Sequence, residues 1–230
     1  MHYGFIGLGN LGSKLATRLA KNGFGVTGFD PNTRFTESLE RAGITFAASP
    51  QELANEVDHV ITCLPSPDAS AAVLDQILGA MQPTASIIEM STIGRDDAIR
   101  FAGLAEGAGV GFLELPVTGG VHLAAVGELT LLAGGPASLM ALHEPALNVM
   151  GNEVIHMGPV GSASLIKVIT NMLALVHLQV CGEALMLASR GGLDLATSWR
   201  AIAASSGNSF VHETEGQLIL NGSYLSLIHI

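Results

Sequence analysis

Short apolar runs alternate with helical patterns through roughly the first 160 residues. The runs at 2–6, 26–29, 59–64, 85–90 and 111–115 have the length and composition of buried strands. The segments between them, at 10–22, 33–42, 49–56, 67–80 and 95–108, carry the spacing of helices. Such alternation predicts a parallel sheet with helices on both faces. Ser49-Pro50-Gln51-Glu52 marks one helix start, with a capping box and proline at the first helical position. Two more strands are expected at 128–132 and 153–156, with a helix over 136–150 between them.

From Gly161 onward the pattern is helical only. A strongly apolar helix is expected over 162–188, ending near Arg190-Gly191-Gly192, where glycine can adopt the left-handed terminating conformation. Further helices are expected at 194–204 and 209–219. The chain therefore divides into an α/β domain over 1–160 and a helical domain over 161–230. The run at 162–188 is long enough to cross a bilayer, but Lys167, Asn171, His177 and Glu183 interrupt it. It is expected to be a helix buried in protein rather than in a membrane.

Apolar residues make up 48% of the chain and charged residues 13%, a balance that excludes a disordered chain. The net charge of −10, with no local cluster of lysine or arginine, argues against a nucleic-acid surface. Cys63, Cys181, Asp96-Asp97 and the scattered histidines lack metal-ligand spacing. These features suggest a reduced cytoplasmic protein without a metal site. The opening residues run straight into a strand pattern, with no leader signature.

Gly7-Leu8-Gly9-Asn10-Leu11-Gly12 is a G-x-G-x-x-G sequence between a predicted strand and a predicted helix, the context that a dinucleotide fingerprint requires. Gly7 permits the tight turn, Gly9 the approach of the pyrophosphate, and Gly12 close packing of helix on strand. Asp30, at the end of the second strand, suits the adenosine ribose and repels a 2′-phosphate. That favours NAD, while Arg34 nearby keeps NADP possible.

Two segments further along carry chemistry. In Glu114-Leu115-Pro116-Val117-Thr118-Gly119-Gly120, a hydroxyl precedes two glycines whose backbone N–H groups can converge on a small carboxylate. In Gly158-Pro159-Val160-Gly161-Ser162-Ala163, followed by Lys167 and Asn171, a lysine and an asparagine share one helix face. A lysine within so apolar a run must be solvated, paired or functional.

The order of these three motifs resembles the β-hydroxyacid dehydrogenase family, which includes 3-hydroxyisobutyrate dehydrogenase and tartronate semialdehyde reductase. The resemblance covers nearly the whole chain, to about residue 222. It implies a Rossmann-type doubly wound, mostly parallel sheet followed by an all-helical domain, and hydride transfer between NAD(P) and a small carboxylate-bearing 3-hydroxy acid. It further implies that Thr118, Gly119 and Gly120 bind the substrate carboxylate, that Lys167 is the catalytic acid/base, and that Asn171 orients the substrate. Leu64-Pro65 resembles the family's cofactor-contacting turn, and Ser91-Thr92 its pair near the nicotinamide. A homo-oligomer through the helical domain is expected.

The chain departs from the family pattern at several positions. Glu114 and Thr118 replace an aspartate and a serine, Leu123 and Ala163 replace glycines, and Arg95 replaces a proline. Family members run well past residue 222, and Ser223-Tyr224-Leu225-Ser226-Leu227-Ile228-His229-Ile230 departs from them, as a shortened helical domain would. Two other readings compete: an imine-reductase-like relative, against which Lys167 argues, and a non-catalytic dinucleotide-binding or oligomerisation module.

Overall fold

The structure, a computed structural model, describes residues 1–222. The closing segment 223–230, which the sequence singles out as a departure, lies outside the described residues. The chain forms two compact units, the first from Met1 to Lys167 and the second from Val168 onward.

The first unit is built on a nine-stranded sheet in the order β3-β2-β1-β4-β5-β6-β8-β7, with β9 paired to β8. Strands β1 (His2–Ile6), β2 (Gly25–Phe29), β3 (Thr45–Phe46), β4 (His59–Thr62), β5 (Ser86–Glu89) and β6 (Gly111–Glu114) are all parallel. This is a doubly wound sheet in which the order of strand addition reverses between β1 and β4. β7 (Val117–Thr118) and β8 (Leu129–Gly134) add antiparallel pairings, and β9 (Gly151–Gly158) runs parallel to β8.

The central parallel strands β4 and β5 are buried at every position because both faces are covered. On one face Phe5, Ile61 and Ile88 pack with Leu15 and Leu19 of α1 (Gly12–Lys21) and Leu147 of α7 (Ala137–Met150). On the other, Ile6, Val60 and Ile87 pack with Leu53 of α3 (Pro50–Glu56), Leu74 and Ile77 of α4 (Pro67–Ile77), and Phe101 of α5 (Arg95–Gly107). α3 begins as its sequence implies: Ser49 accepts a hydrogen bond from the Glu52 N–H, and the Glu52 side chain reaches back to the Ala48 N–H.

Each strand and helix read from periodicity is present, with ends moved by a few residues. α2 (Thr36–Glu40) is entered through a single 3-10 turn over Thr33–Phe35. Three elements escaped the pattern. β3 and β7 have two residues each, too few to show a period. α6 (Gly120–Val126) lies where consecutive glycines read as an open loop; Gly119, at φ +125°, makes the turn into it.

The long helix α8 (Ser162–Arg190) corrects an expectation. It was to be buried, yet only 11% of its most apolar 18-residue window is. Cys181 and Leu185 are buried, whereas Val176, Val180 and Leu187 are exposed. The helix is apolar around most of its circumference, and the described residues cover one side of it. By length and composition it is the one described helix able to cross a membrane. In the second unit, α9 (Leu195–Ala203) and α10 (Phe210–Leu220) are joined by Trp199 and His212. The Trp199 indole N–H donates to the His212 carbonyl at 3.0 Å, and the two rings stack at 5.6 Å.

Candidate active site

Loops at the carboxyl ends of β1, β2, β4 and β5 gather most of the residues singled out by sequence. The turn after β1 needs glycine for two reasons. Gly7 has φ +94°, and a side chain there would meet the Cys63 carbonyl, so the loops after β1 and β4 touch at the switch in strand order. A side chain on Gly12 would strike the Gly7 carbonyl, which lets α1 start directly against β1. Around Gly9 a Cβ would meet nothing within 4 Å, so the outer side of this turn is open to a guest. Gly9 and Asn10 are exposed, Leu8 and Leu11 are buried, and no side chain caps α1. An uncapped helix start beside an open glycine turn is the cradle that a pyrophosphate fits. Asp30 follows β2 and is tied to this turn: Leu8 N–H donates to its Oδ2 at 2.7 Å, and Asn32 N–H to its Oδ1 at 2.7 Å. Arg34 is exposed, its guanidinium 5.0 Å from the centre of the Phe35 ring.

The turns after β4 and β5 are linked. Ser91 Oγ accepts a hydrogen bond from the Leu64 N–H at 2.8 Å, and Glu89 Oε1 accepts one from the Ser91 N–H at 2.8 Å. Pro65 and Thr92, the adjoining residues, are exposed. Cys63 packs against the core on the α1 side; burial, and then the charge of Glu89, pushes its thiol up to about 12. Thr118 lies on β7, paired with Thr130 of β8, and leads into Gly119 and Gly120, both at positive φ and half-buried. Residues with side chains rarely adopt this backbone conformation, so both positions call for glycine.

Lys167 is 8% exposed, and burial alone lowers its ammonium below the usual range. Glu114 explains how so apolar a helix start is held. This wholly buried carboxylate ends β6 and accepts from the N–H groups of Gly161 and Ala163 at 2.7 and 2.8 Å, and from the Ser164 hydroxyl at 2.6 Å. A carboxylate at a helix N-terminus is favoured by both hydrogen bonding and the helix dipole. The start of α8, with Lys167 on its next turn, is thereby fixed to the carboxyl edge of the sheet. Gly134, paired with Glu114 across β8, leaves room for that side chain. Asn171 lies four residues beyond Lys167, half-buried, in the second compact unit. His122 is exposed on α6 and His177 on α8. Among the described residues no group of histidines, cysteines and carboxylates could hold a metal.

Sequence reasoning noticed Glu114 only as a departure and passed over Glu89. The signal was available: Ile-Ile-Glu89 and Phe-Leu-Glu114 both end an apolar strand in an acid, and the two glutamates are in register.

A glycine turn between strand and helix, an acid after the second strand, and the 3-2-1-4-5-6 core of the sheet define a dinucleotide-binding oxidoreductase. Residues 2–158 match the NAD-binding domain of 6-phosphogluconate dehydrogenase. Residues 161–228 match the NAD-binding region of NADP-dependent 3-hydroxyisobutyrate dehydrogenase. The chain belongs to the β-hydroxyacid dehydrogenase family, whose members use NAD(P).

Similar proteins include a probable 3-hydroxyisobutyrate dehydrogenase of Mycobacterium tuberculosis, 33% identical over 91% of this chain and 71% of that protein. An L-threonate dehydrogenase of Cupriavidus necator is 34% identical over 97% of this chain and 77% of its own length. The mitochondrial 3-hydroxyisobutyrate dehydrogenase of rat is 34% identical, and the match spans 64% of it. A solved structure of 3-hydroxyisobutyrate dehydrogenase from Salmonella typhimurium superposes with a TM-score of 0.90 at 30% identity, covering 97% of this chain and 80% of that one. Imine reductases, such as that of Myxococcus stipitatus, share the fold at 20% identity.

Proposed function

We propose that the chain interconverts a small 3-hydroxy acid, such as 3-hydroxyisobutyrate or the reduction product of tartronate semialdehyde, with its carbonyl partner, using Lys167 as general acid/base. The bound NAD(P) supplies the hydride acceptor or donor at the nicotinamide. The chain's own residues bind, orient and move the proton. The Thr118 hydroxyl and the backbone N–H groups of Gly119 and Gly120 hold the substrate carboxylate. The neutral Lys167 amine takes the hydroxyl proton as the neighbouring carbon is oxidised, and the ammonium returns it to the oxygen on reduction. Asn171, one helical turn on, orients the substrate oxygen.

One observation carries this reading: the only lysine in the apolar α8 is buried, and Glu114 anchors its helix at the edge where the cofactor turns gather. Burial lowers the Lys167 pKa, the direction a base working near neutrality needs. The test is Lys167→Ala, assayed by NADH absorbance on 3-hydroxyisobutyrate, L-serine and L-threonate. Turnover should fall at least about a hundredfold while cofactor binding stays within about threefold of the parent. Near-normal turnover on the preferred substrate would remove the assigned role. An unaltered chain that binds cofactor yet turns over none of them would favour a non-catalytic module.

The same reading has α8 pairing with a second copy of the chain. The exposed Leu165, Val168, Met172, Val176 and Val180 support it, because contiguous apolar surface of this kind is seldom left in water. Light scattering on the purified chain tests it; a monomer at micromolar concentration would count against it.

A further inference from the structure

Glu89 is a fully buried acid that the proposed chemistry does not use. It ends β5, paired in register with Thr62 of β4 on one side and Glu114 of β6 on the other, so the three side chains emerge on one face of the sheet. Glu114 is fully occupied by the start of α8. Glu89 is held less tightly: Oε1 accepts from the Ser91 N–H, the hydroxyls of Ser91, Ser70 and Thr62 surround the carboxyl, and Oε2 has no partner at hydrogen-bond distance. A lone buried polar atom costs about 1–3 kcal/mol, so its retention calls for a reason other than stability.

The groups that Glu89 organises supply one. Ser91 takes its backbone direction from the Glu89 carboxyl and offers its hydroxyl oxygen to the Leu64 N–H at 2.8 Å. The Ser70 hydroxyl of α4 lies 3.4 Å from the same oxygen. A short chain of contacts thus runs from Glu89 through Ser91 to Leu64, and joins the loop after β5 to the loop after β4. Pro65 and Thr92, next in sequence, are the exposed residues of these loops. Burial raises the Glu89 pKa, and hydrogen bonding from Ser91, Ser70 and Thr62 opposes that shift.

We infer that Glu89 is a positioning residue for the bound dinucleotide: through Ser91 it locks the Leu64-Pro65 and Ser91-Thr92 turns into one rigid cofactor-facing wall. The inference rests on the family reading in which these two turns flank the nicotinamide. It does not depend on the role of Lys167.

The effects on stability and on binding should have opposite signs. In Glu89→Leu an apolar group of similar size replaces an incompletely bonded acid. Thermal unfolding of the chain without nucleotide should stay level or move up, whereas the Kd for NADH or NADPH, read by nucleotide fluorescence, should rise about tenfold. Glu89→Gln keeps an acceptor and a donor and should restore Kd to within about twofold. Ser91→Ala should raise Kd similarly, and adding it to Glu89→Leu should have little further effect, since both break one chain of contacts.

Parallel losses of stability and binding, with no recovery in Glu89→Gln, would reduce Glu89 to a structural residue. Unchanged binding in Glu89→Leu, or in Ser91→Ala should Glu89→Leu fail to fold, would overturn the inference alone. An unaltered chain that binds neither nucleotide would overturn it together with the family reading. Loss of turnover in Lys167→Ala with binding intact bears on the hydride chemistry only.

Discussion

The N–H of Leu8 donates to Asp30 Oδ2 at 2.7 Å, so the glycine turn after β1 and the acid after β2 act as one unit. Asp30 accepts at both oxygens from the backbone, yet a carboxylate has further lone pairs to offer a ribose. We expect NADH to bind more tightly than NADPH, by about tenfold, because the fixed negative charge disfavours a 2′-phosphate. Asp30→Ala should loosen the turn and narrow that ratio toward one. Competitive titration of the two nucleotides measures it; tighter NADPH binding by the parent chain would reverse the preference.

Glu114 holds the start of α8 through several buried hydrogen bonds, so Glu114→Ala leaves the Gly161 and Ala163 N–H groups without acceptors. Unfolding free energy in denaturant should drop by about 3 kcal/mol or more. Gly134→Ala should be costly as well, since its Cβ would occupy the space of the Glu114 carboxyl. A loss below about 1 kcal/mol in both variants would contradict the anchoring role.

Burial lowers the Lys167 pKa from its ordinary value, which sets the direction of the pH profile. In the proposed mechanism oxidation needs the neutral amine and reduction the ammonium. With saturating cofactor, the oxidative kcat/KM should climb with pH through a limb below the usual lysine range, and the reductive rate should fall over the same interval. A rising limb at about 10.4 or above would show a lysine untouched by its surroundings.

At the opposite, amino-terminal end of the strands, Ser86 Oγ lies 2.9 Å from His59 Nδ1 and 2.7 Å from His143 Nε2, and Tyr3 closes the group at 3.0 Å from His143 Nδ1. Burial, and then the charge of His59, lowers the His143 pKa to about 4. The unfolded chain therefore binds more protons between about pH 6.5 and pH 4. Stability from this group is complete above the unfolded value and is lost as pH falls through that window. The loss should be roughly 3 kcal/mol, and smaller in His143→Phe. Denaturant curves at pH 7.5, 5.5 and 4.5 read it out; an identical slope in both proteins would exclude His143 as the source.

The order of most strands and helices could be read along the chain because each element longer than a few residues has its own period; the two-residue β3 and β7 have none. The glycine fingerprint was equally legible, since its spacing is local and Gly12 answers to a clash with the Gly7 carbonyl within the same turn; the close approach of Gly7 to the Cys63 carbonyl is tertiary. Lys167 stood out because a charge in an apolar helix is costly wherever it lies. The exposure of α8 was not legible, because an apolar stretch has the same composition whether its neighbours cover it or leave it in water.

By itself, the sequence determined the parallel sheet, the site of the nucleotide turn, the helical second part and the residues able to carry a proton. Tertiary structure decided which acids serve them. Glu89 and Glu114 differ little in sequence, each ending an apolar strand, yet one holds the start of α8 and the other the loop after β5. Strand register and the hydrogen bonds from Gly161, Ala163 and Ser164 to Glu114 separate them, and both arise from contacts between residues far apart along the chain.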